Sequence, residues 1–456
     1  MKFSFSLSLL VGVAGMGAAI PSRSHGDMIN VDVLVIGGGA SGTYAAIELQ
    51  KMGKKVVVVE AKDKLGGHVD EFSGIDYGVL GYMNSGGITS DFLDYLGVAY
   101  TKLPVFTDNV EVYDLKLGAP LPDTIPPPSP EALPLALETW LQTLAQYEQY
   151  TQPTLATAAD IPAELLQPFA AFVASNQELT PLLPTMFTAI SYPNLAQAPL
   201  LYAIQEFNSL FIEAVFGLGS EPSGLFKPSS FRNSEIYEKA KICQGTQQRQ
   251  RGVARYVVST PDGEVTVKAR KVVFSIPPTP ENLAPLYPTA KQTAAFDGLT
   301  WSDSWPCLID APGIAPGTNL WNVDLTQLET GFGLPVTPSI WAYQYSGVSS
   351  FYMTAVSGDP GLSLEESQGI ITTSIGNLAA SGLIGSGDLQ FAACASHSML
   401  TMKPAPEGLA AGMYKHMAEM QGYMNTWYVG RTWASDYSSI IWTHVRTIIA
   451  DMYPEA

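Results

Sequence analysis

The sequence is poor in positive charge, cysteine and histidine. Its 24 basic residues stand against 42 acidic ones, which gives a net charge of −18 and argues against nucleic acid or an anionic membrane as a partner. Cys243, Cys307 and Cys394 allow at most one disulfide and form no CxxC pair, so neither a structural zinc nor a thioredoxin-type site is expected. The chain also lacks G-x-S-x-G, P-loop and H-E-x-x-H motifs, so common hydrolase, phosphoryl-transfer and metalloprotease classes have no support.

The N-terminus has the pattern of a secretory signal peptide. Lys2 supplies a positive end, an apolar stretch follows to Ala19, and small residues precede Pro21. A membrane anchor is the alternative, but the apolar stretch is short for a bilayer span. We therefore predict that residues 1–19 are removed, and that the mature protein is secreted and has no membrane partner.

The segment from Val31 to Glu60 organises the rest of the chain. An apolar, β-branched run to Ile36 predicts a buried strand, and the glycines after it give G-x-G-x-x-G at the start of a predicted helix. A second predicted strand ends at Glu60, where an acid can accept hydrogen bonds from a ribose. This order of elements predicts a dinucleotide site, and the acid disfavours the 2′-phosphate of NADP.

A second glycine-rich turn follows at Gly66-Gly67-His68. Successive backbone N–H groups in such a turn can form an anion-binding nest. The alternative is an ordinary surface turn. Together with the first motif, this turn favours a flavin dinucleotide over NAD.

The ordered set of motifs resembles the FAD-dependent amine oxidase superfamily, and within it the secreted β-cyclopiazonate dehydrogenase-like flavoproteins of fungi. The matching stretches are the G-x-G-x-x-G segment, LGGHVDEF, IDYGV, KVVFSIPP and QGYMNTWYVGRTWASDYSSIIW. The resemblance implies an α/β protein with a Rossmann-type FAD-binding domain and a discontinuous α+β substrate domain. It also implies FAD as the cofactor and the following cofactor-binding residues: Gly37, Gly39, Ala40, Ser41, Gly42, Glu60, Ala61, Gly66, Gly67, His68, Gly430, Arg431 and Ser439.

The expected domains are interleaved along the chain. Residues 27–100, 226–285 and 395–456 are assigned to the FAD domain. Residues 101–225 are expected to be the helical part of the substrate domain, and residues 286–394 its antiparallel sheet. Apolar spacing over residues 132–150 predicts a helix with a buried face. Its candidate core residues are Leu135, Leu137, Trp140, Leu141 and Leu144.

Two further expectations concern the sheet and the last helix. The alternation of Trp341, Tyr343 and Tyr345 predicts one aromatic sheet face, which either lines a substrate cavity or is simply buried. Ser438 or Ser439 is expected to cap a final helix. The apolar stripe of that helix is predicted to be Ile441, Val445, Ile448, Ile449 and Met452.

The sequence departs from the amine oxidase pattern in three places. His68 stands where the family usually has an arginine, and Arg431-Thr432 replaces a small residue and a glutamate. The segment 233–253 is short and polar, from which we hypothesise weakened adenine binding. The tyrosine pair that surrounds an amine in the family cannot be placed, so the catalytic residues are unknown, and His397 and Tyr437 are only weak candidates.

These observations predict an enzyme that transfers a hydride from a small amine or alkaloid-like metabolite to FAD, with O2 or another electron acceptor. Two alternatives remain at this stage. One is a flavin-dependent double-bond isomerase, and the other is a degenerate protein that keeps the fold without turnover.

Overall fold

The computed structural model describes residues 8–10, 28–84, 86–103, 109–122, 132–151, 161–190, 192–218, 223–240, 254–260 and 263–454. Within these ranges, no helix combines the length and the apolar character that crossing a bilayer requires. The short, polar part of segment 233–253 falls mostly in residues 241–253, outside the described residues. The hypothesis of weakened adenine binding therefore stays a prediction.

Strands and helices alternate along the chain. The strands are β1 Ser8–Leu10, β2 Met28–Ile36, β3 Val56–Glu60, β4 Glu71–Phe72, β5 Ile75–Asp76, β6 Tyr82–Asn84, β7 Tyr100–Leu103, β8 Val110–Asp114, β9 Ala119–Pro120, β10 Gly224–Pro228, β11 Ala254–Thr260, β12 Gly263–Phe274, β13 Leu299–Asp310, β14 Asn319–Asn322, β15 Ser339–Ile340, β16 Ala342–Tyr345, β17 Phe351–Gly358, β18 Gln390–Cys394, β19 His397–Pro404 and β20 Thr426–Tyr428. The α-helices are α1 Ala40–Lys51, α2 Ile88–Leu96, α3 Leu133–Gln146, α4 Glu148–Thr151, α5 Phe169–Ser175, α6 Leu183–Ile190, α7 Leu200–Glu206, α8 Ser209–Phe216, α9 Ser234–Ala240, α10 Pro280–Leu283, α11 Ala290–Phe296, α12 Leu364–Ala380, α13 Pro406–Ala410, α14 Met413–Ala418 and α15 Ser438–Met452.

A six-stranded sheet gathers strands from distant parts of the sequence. Its order is β1-β3-β2-β12-β11, and β20 pairs with the C-terminal half of β12. Strands β3, β2, β12 and β20 run parallel, so their carboxyl ends meet at one edge. Strand β1, which lies within the predicted signal peptide, pairs antiparallel with β3. The predicted α/β fold is confirmed.

Strand β12 is longer than its sequence pattern predicts. The pattern favours two separate strands, over residues 264–269 and 271–275, whereas residues 263–274 form one continuous strand. Its first half pairs with β11 as a hairpin, and its second half lies between β2 and β20. The Arg270 side chain reaches the carboxylate of Asp32 on β2, with an Nη1 to Oδ1 distance of 3.3 Å. The strand therefore continues through Arg270, a charged position at which the sequence pattern predicts a break.

The last helix, α15, packs against α1 and α2 of the cofactor domain. Its predicted apolar stripe is confirmed, because Ile441, Val445, Ile448, Ile449 and Met452 are all buried. The predicted cap is wrong: Tyr437 occupies the N-cap position, and no side chain there caps the helix by a hydrogen bond. Ser438 is already the first helical residue, and Ser439 lies buried in the first turn.

His444 on α15 should make the folded protein less stable at acid pH. Burial lowers the pKa of His444 from 6.5 to about 4, so below pH 6.5 the unfolded chain binds a proton that the folded chain resists. The free energy of unfolding should therefore fall as the pH drops from 6.5 to 4, by at most about 3 kcal/mol. Urea titrations of the wild type and of His444→Leu across this range measure the effect.

The variant should lose that part of the pH dependence. The same substitution at the exposed His416 is the control and should keep the wild-type slope. An equal slope in His444→Leu and the wild type would contradict the prediction.

The nine-stranded sheet forms the second layer. Its order is β18-β13-β17-β16-β14-β8-β9, with β15 paired to β17 and β19 to β13. Helix α12 begins at a capping box, in which Ser363 and Glu366 satisfy each other's backbone N–H groups. Its Ile371 side chain packs on Tyr343 and Tyr352 of the sheet. Tyr343 is fully buried in this cluster. For this residue the prediction of a buried sheet face is therefore confirmed, and the alternative that it lines a substrate cavity is wrong.

A disulfide joins Cys307 and Cys394, which face each other across β13 and β18. The sequence allowed one disulfide among three cysteines without deciding the pair. The third cysteine, Cys243, lies outside the described residues.

Helices α3 to α8 form a compact group around Trp140. The Trp140 ring is fully buried beside Phe169 and Phe207, and its Nε1 donates to the Phe207 carbonyl at 2.7 Å. Leu144 is buried as predicted, whereas Leu137 and Leu141 are only partly buried. The prediction that Leu135 is a core residue is wrong, since it lies on the outer side of α3 and is 59% exposed.

Candidate functional site

The candidate site lies where the parallel strands of the six-stranded sheet end. The Gly37 N–H donates to the Val59 carbonyl at 2.8 Å, and the Ser275 N–H donates to the Ile36 carbonyl at 2.9 Å. On the far side, the Val429 N–H donates to the Phe274 carbonyl at 3.0 Å. The turns that follow four strands are thus held side by side, at the edge where parallel α/β sheets bind their ligands.

The glycine fingerprint is shaped by close contacts. A Cβ atom on Gly42 would lie 2.0 Å from the Gly37 carbonyl oxygen, so the third glycine is needed for the helix to meet the strand. A Cβ on Gly39 would meet only the Gly67 Cα, at 3.6 Å. Gly39 is the N-cap of α1 and has no side-chain cap. The N–H groups of Ala40, Ser41 and Gly42 in the first helical turn therefore suit a pyrophosphate.

The second glycine turn docks on the first. The Gly66 N–H donates to the Gly38 carbonyl at 2.8 Å, and a Cβ on Gly67 would lie 2.9 Å from the Gly39 Cα. Lys62 fixes the turn from the other side, donating from Nζ to the Gly67 carbonyl at 2.7 Å. The structure thus brings the two predicted phosphate-binding turns into one unit.

Glu60 sits at the end of β3, and Ala61 follows it. The Glu60 carboxylate accepts hydrogen bonds from the Gly38 N–H at 2.6 Å and from the Lys62 N–H at 2.9 Å. A carboxylate has about four acceptor positions, so it retains capacity for a ribose hydroxyl. The sequence predicted the acid but missed Gly38, where a Cβ would lie 2.4 Å from Leu65.

The C-terminal segment closes the same site. Gly430 has φ +115°, and a Cβ there would lie 3.4 Å from the Ser41 hydroxyl of the fingerprint. The Trp442 Nε1 of α15 donates to the Ala40 carbonyl at 3.1 Å. The N-terminal and C-terminal motifs, separated by most of the sequence, therefore border one site. Ser439, also predicted for this site, is buried, and its hydroxyl has no hydrogen-bond partner among the described atoms.

His68 and His397 form a stacked pair beside these turns. Their rings lie 4.1 Å apart and nearly parallel, and the His397 Nε2 is 2.9 Å from the Asp70 Oδ2. Burial lowers the pKa of His68 well below its usual value, with further contributions from His397, Arg431 and Lys62. His68 is therefore neutral at physiological pH. The stack and the Asp70 contact fix the orientation of the His397 ring, and neither shows that it acts in catalysis.

A loop after β20 carries the paired charges of Arg431 and Asp436. The Arg431 Nε lies 2.8 Å from the Asp436 Oδ1, and the Arg431 side chain is 14% exposed. The Asp436 side chain keeps 41% of its surface accessible, although nearby protein desolvates it enough to raise its pKa. A side chain that lines a recess in the protein meets both conditions, so we infer that Asp436 faces such a cavity. We call residues Arg431 to Tyr437 the cavity loop.

The electrostatics of the cavity loop are unusual. Burial raises the pKa of Asp436 to about 6; Glu206 adds to the rise, and Arg431 and Lys403 oppose it. Tyr437 also has its pKa raised well above the usual value, chiefly by burial, so it stays protonated. Its ring lies 5.4 Å from that of Phe211, and its hydroxyl meets no partner in the described part of the chain. The loop therefore carries a carboxyl group with a pKa near neutrality next to a tyrosine that stays uncharged.

The sequence reasoning missed Asp436, Glu206 and Lys403. A detectable signal existed for two of them. Glu206 lies in the buried stretch LLYAIQEF, which is apolar apart from Gln205 and Glu206, and Lys403 lies in a strand of mostly buried residues. A charge in such a segment needs a partner when it is buried. No group of three or more metal-ligating side chains occurs among the residues that the structure describes.

The comparisons with known proteins agree with this geometry. The family profile described as FAD dependent oxidoreductase matches residues 32–155. β-Cyclopiazonate dehydrogenase of Aspergillus oryzae is 26% identical over 93% of this chain and 94% of that protein. The FAD-dependent oxidoreductase pigF of Monascus ruber is 25% identical and covers 97% of both chains.

Solved structures show the same fold. A fatty acid isomerase from P. acnes superposes with a TM-score of 0.68 at 15% identity, over 93% of this chain and 99% of that one. Putrescine oxidase bound to putrescine gives a TM-score of 0.56 at 16% identity, over 93% of this chain and 100% of that one. At these identities the likeness concerns architecture alone.

Proposed function

We propose that this FAD-dependent oxidoreductase oxidises a small amine or alkaloid-like metabolite inside the cavity lined by the cavity loop. The observation that carries the proposal is the Asp436 carboxylate, whose side chain is 41% accessible while desolvation raises its pKa to about 6. A carboxylate beside the neutral Tyr437 ring suits a positively charged or basic nitrogen. The oxidation of a small metabolite also draws support from the similarity to β-cyclopiazonate dehydrogenase.

The residues present fit FAD. The two glycine turns leave the backbone N–H groups at the start of α1 open to a pyrophosphate, and Glu60 keeps acceptor capacity for the ribose. Arg431 has an Nη1 atom that is buried and meets no hydrogen-bond acceptor within the described residues, and it lies on the same loop as Gly430. When bound, FAD supplies the acceptor for a hydride and passes the electrons on to O2 or another acceptor.

The chain's own residues would handle the proton. Asp436 would take a proton from the substrate ammonium group, which frees the nitrogen lone pair. The carbon next to the nitrogen can then lose a hydride and leave an iminium product, so protons and electrons balance. The ion contact between Asp436 Oδ1 and Arg431 leaves the second carboxylate oxygen, Oδ2, for the substrate.

We extend the proposal to the location of the protein. The predicted signal peptide supports entry into the secretory pathway. The disulfide between Cys307 and Cys394 supports it as well, because such bonds form and persist mainly in oxidising compartments.

The test is a visible absorption spectrum of the purified protein, followed by anaerobic titration with candidate amines. We expect bound flavin, loss of its visible absorption when an amine is added, and hydrogen peroxide or a reduced acceptor on readmission of the oxidant. Flavin that no amine bleaches would contradict the proposed substrate class. Turnover of an olefin without any acceptor would instead identify an isomerase, and a colourless preparation would indicate a degenerate protein.

A further inference from the structure

A buried ion pair links the helical group to the nine-stranded sheet. The Lys403 Nζ of β19 lies 3.2 Å from the Glu206 Oε1 at the end of α7, and the two side chains are 4% and 2% exposed. Removing two charges from water costs several kcal/mol for each ion. Stability alone is therefore a weak reason for the presence of this pair.

Both partners also hold the backbone of the cavity loop. The Lys403 Nζ donates to the Ala434 carbonyl at 3.3 Å, and the Asp436 N–H donates to the Glu206 Oε2 at 3.0 Å. These two contacts lie on either side of Ser435, which is itself fully buried. The ion pair thus holds the loop directly next to the Asp436 carboxylate.

We infer that Glu206 and Lys403 are positioning residues that fix the cavity loop and set the charge state of the Asp436 carboxyl. This inference rests on the role proposed for Asp436. The negative charge of Glu206 opposes ionisation of Asp436, and the positive charges of Lys403 and Arg431 favour it. Tyr437, the other titratable neighbour, stays neutral and adds no charge.

Removing the charge of Glu206 and removing the charge of Lys403 should therefore shift the titration of Asp436 in opposite directions. Glu206→Gln removes the charge that opposes ionisation and keeps an oxygen that can accept the Asp436 N–H, so the Asp436 titration should move to lower pH. Lys403→Met removes a charge that favours ionisation, so the titration should move to higher pH. Each shift should be about one pH unit or more, the usual effect of a nearby charge.

The experiment follows the carboxyl group directly. Infrared spectra of the FAD-loaded protein, recorded as a function of pH, report protonated carboxyl groups, and Asp436→Asn identifies the band of Asp436. The pH dependence of kcat/KM is measured in parallel on the same variants. Equal Asp436 midpoints in the wild type and both folded variants would overturn the inference.

A double variant covers the case in which a single charge left unpaired prevents folding. Glu206→Met with Lys403→Met removes both charges, and replacing a buried pair by apolar residues of similar size is often tolerated. The opposing shifts should then largely cancel in the Asp436 midpoint. Release of the loop should nevertheless lower kcat at least tenfold, and wild-type turnover in this variant would refute the positioning role.

A control separates this effect from general loss of stability. Lys227 forms another buried ion pair, 3.0 Å from Asp76, with side chains 13% and 1% exposed. Lys227→Met should destabilise the protein and leave the Asp436 midpoint unchanged. If Asp436→Asn retains full turnover while the midpoints still shift, the proposed function fails and the electrostatic part of the inference stands.

Discussion

Gly39→Ala is expected to give a folded protein that has lost its FAD. The nearest atom to the new methyl group is the Gly67 Cα at 3.6 Å, an ordinary contact, and the backbone of Gly39 is extended. The fold should therefore accept the change. The methyl group would, however, occupy the space through which a pyrophosphate approaches the backbone. We expect at least a tenfold loss of affinity for FAD, since overpacking a tight site costs about 1–3 kcal/mol.

Flavin content per chain after gel filtration, with circular dichroism as a measure of folding, checks this result. Gly376→Ala is the matched control: it lies on the exposed side of α12 with no atom within 4 Å, and it should keep FAD and gain roughly 0.5–1 kcal/mol in stability. Gly42→Ala should instead destabilise the fold, because its methyl group meets the Gly37 carbonyl at 2.0 Å. Stoichiometric FAD in Gly39→Ala would contradict the assigned phosphate site. Stoichiometric FAD in the wild type would refute weakened adenine binding.

The second large effect is expected from Asp436→Asn. The amide keeps the shape of the side chain but cannot accept the substrate proton, so kcat should fall by about 10²–10⁴-fold, the usual contribution of a general base. The flavin spectrum should remain that of the wild type. The wild-type rate should rise with pH through about 6, because the base must be ionised and the pKa of Asp436 is raised to about 6.

Steady-state turnover and its pH profile measure both consequences. Asp388→Asn, at an exposed position in the loop before β18, serves as the control and should behave as the wild type. A fully active Asp436→Asn would remove Asp436 from the mechanism. In that case the proton would have to leave by another group, and the case for an amine substrate would lose its structural basis.

The strands, turn and helix that form the candidate cofactor site could be predicted from the sequence because their signals are local. The strand, glycine turn, helix and second strand between Val31 and Glu60 lie next to one another in the chain, and the third glycine, Gly42, lies against the Gly37 carbonyl of the same unit. The helical periodicity of α15 was equally readable. Its cap was not, because Ser438 and Ser439 both have the right chemistry, and only the backbone shows that the helix starts one residue after Tyr437.

The part of the site proposed to bind the substrate could not be predicted, because its contacts join distant parts of the chain. Glu206 and Lys403 meet only after a helix and a strand from different segments have packed together. Tyr437 was named as a catalytic candidate and Asp436 was not, because the sequence does not show which side chains face a cavity. The same limit applied to Tyr343, whose alternation with polar residues predicted a sheet face but not the helix that covers it.

The position of β20 in the central sheet has a consequence for the order of events during synthesis. The cofactor sheet needs residues 426–428 to complete one edge, and the Ala40 carbonyl finds its partner in Trp442. A ribosome delivers those residues long after β2 and α1 have emerged. The candidate nucleotide site can therefore form only after residues 426–442 have been synthesised. The helices around Trp140 find their partners within residues 133–216 and can collapse well before that point.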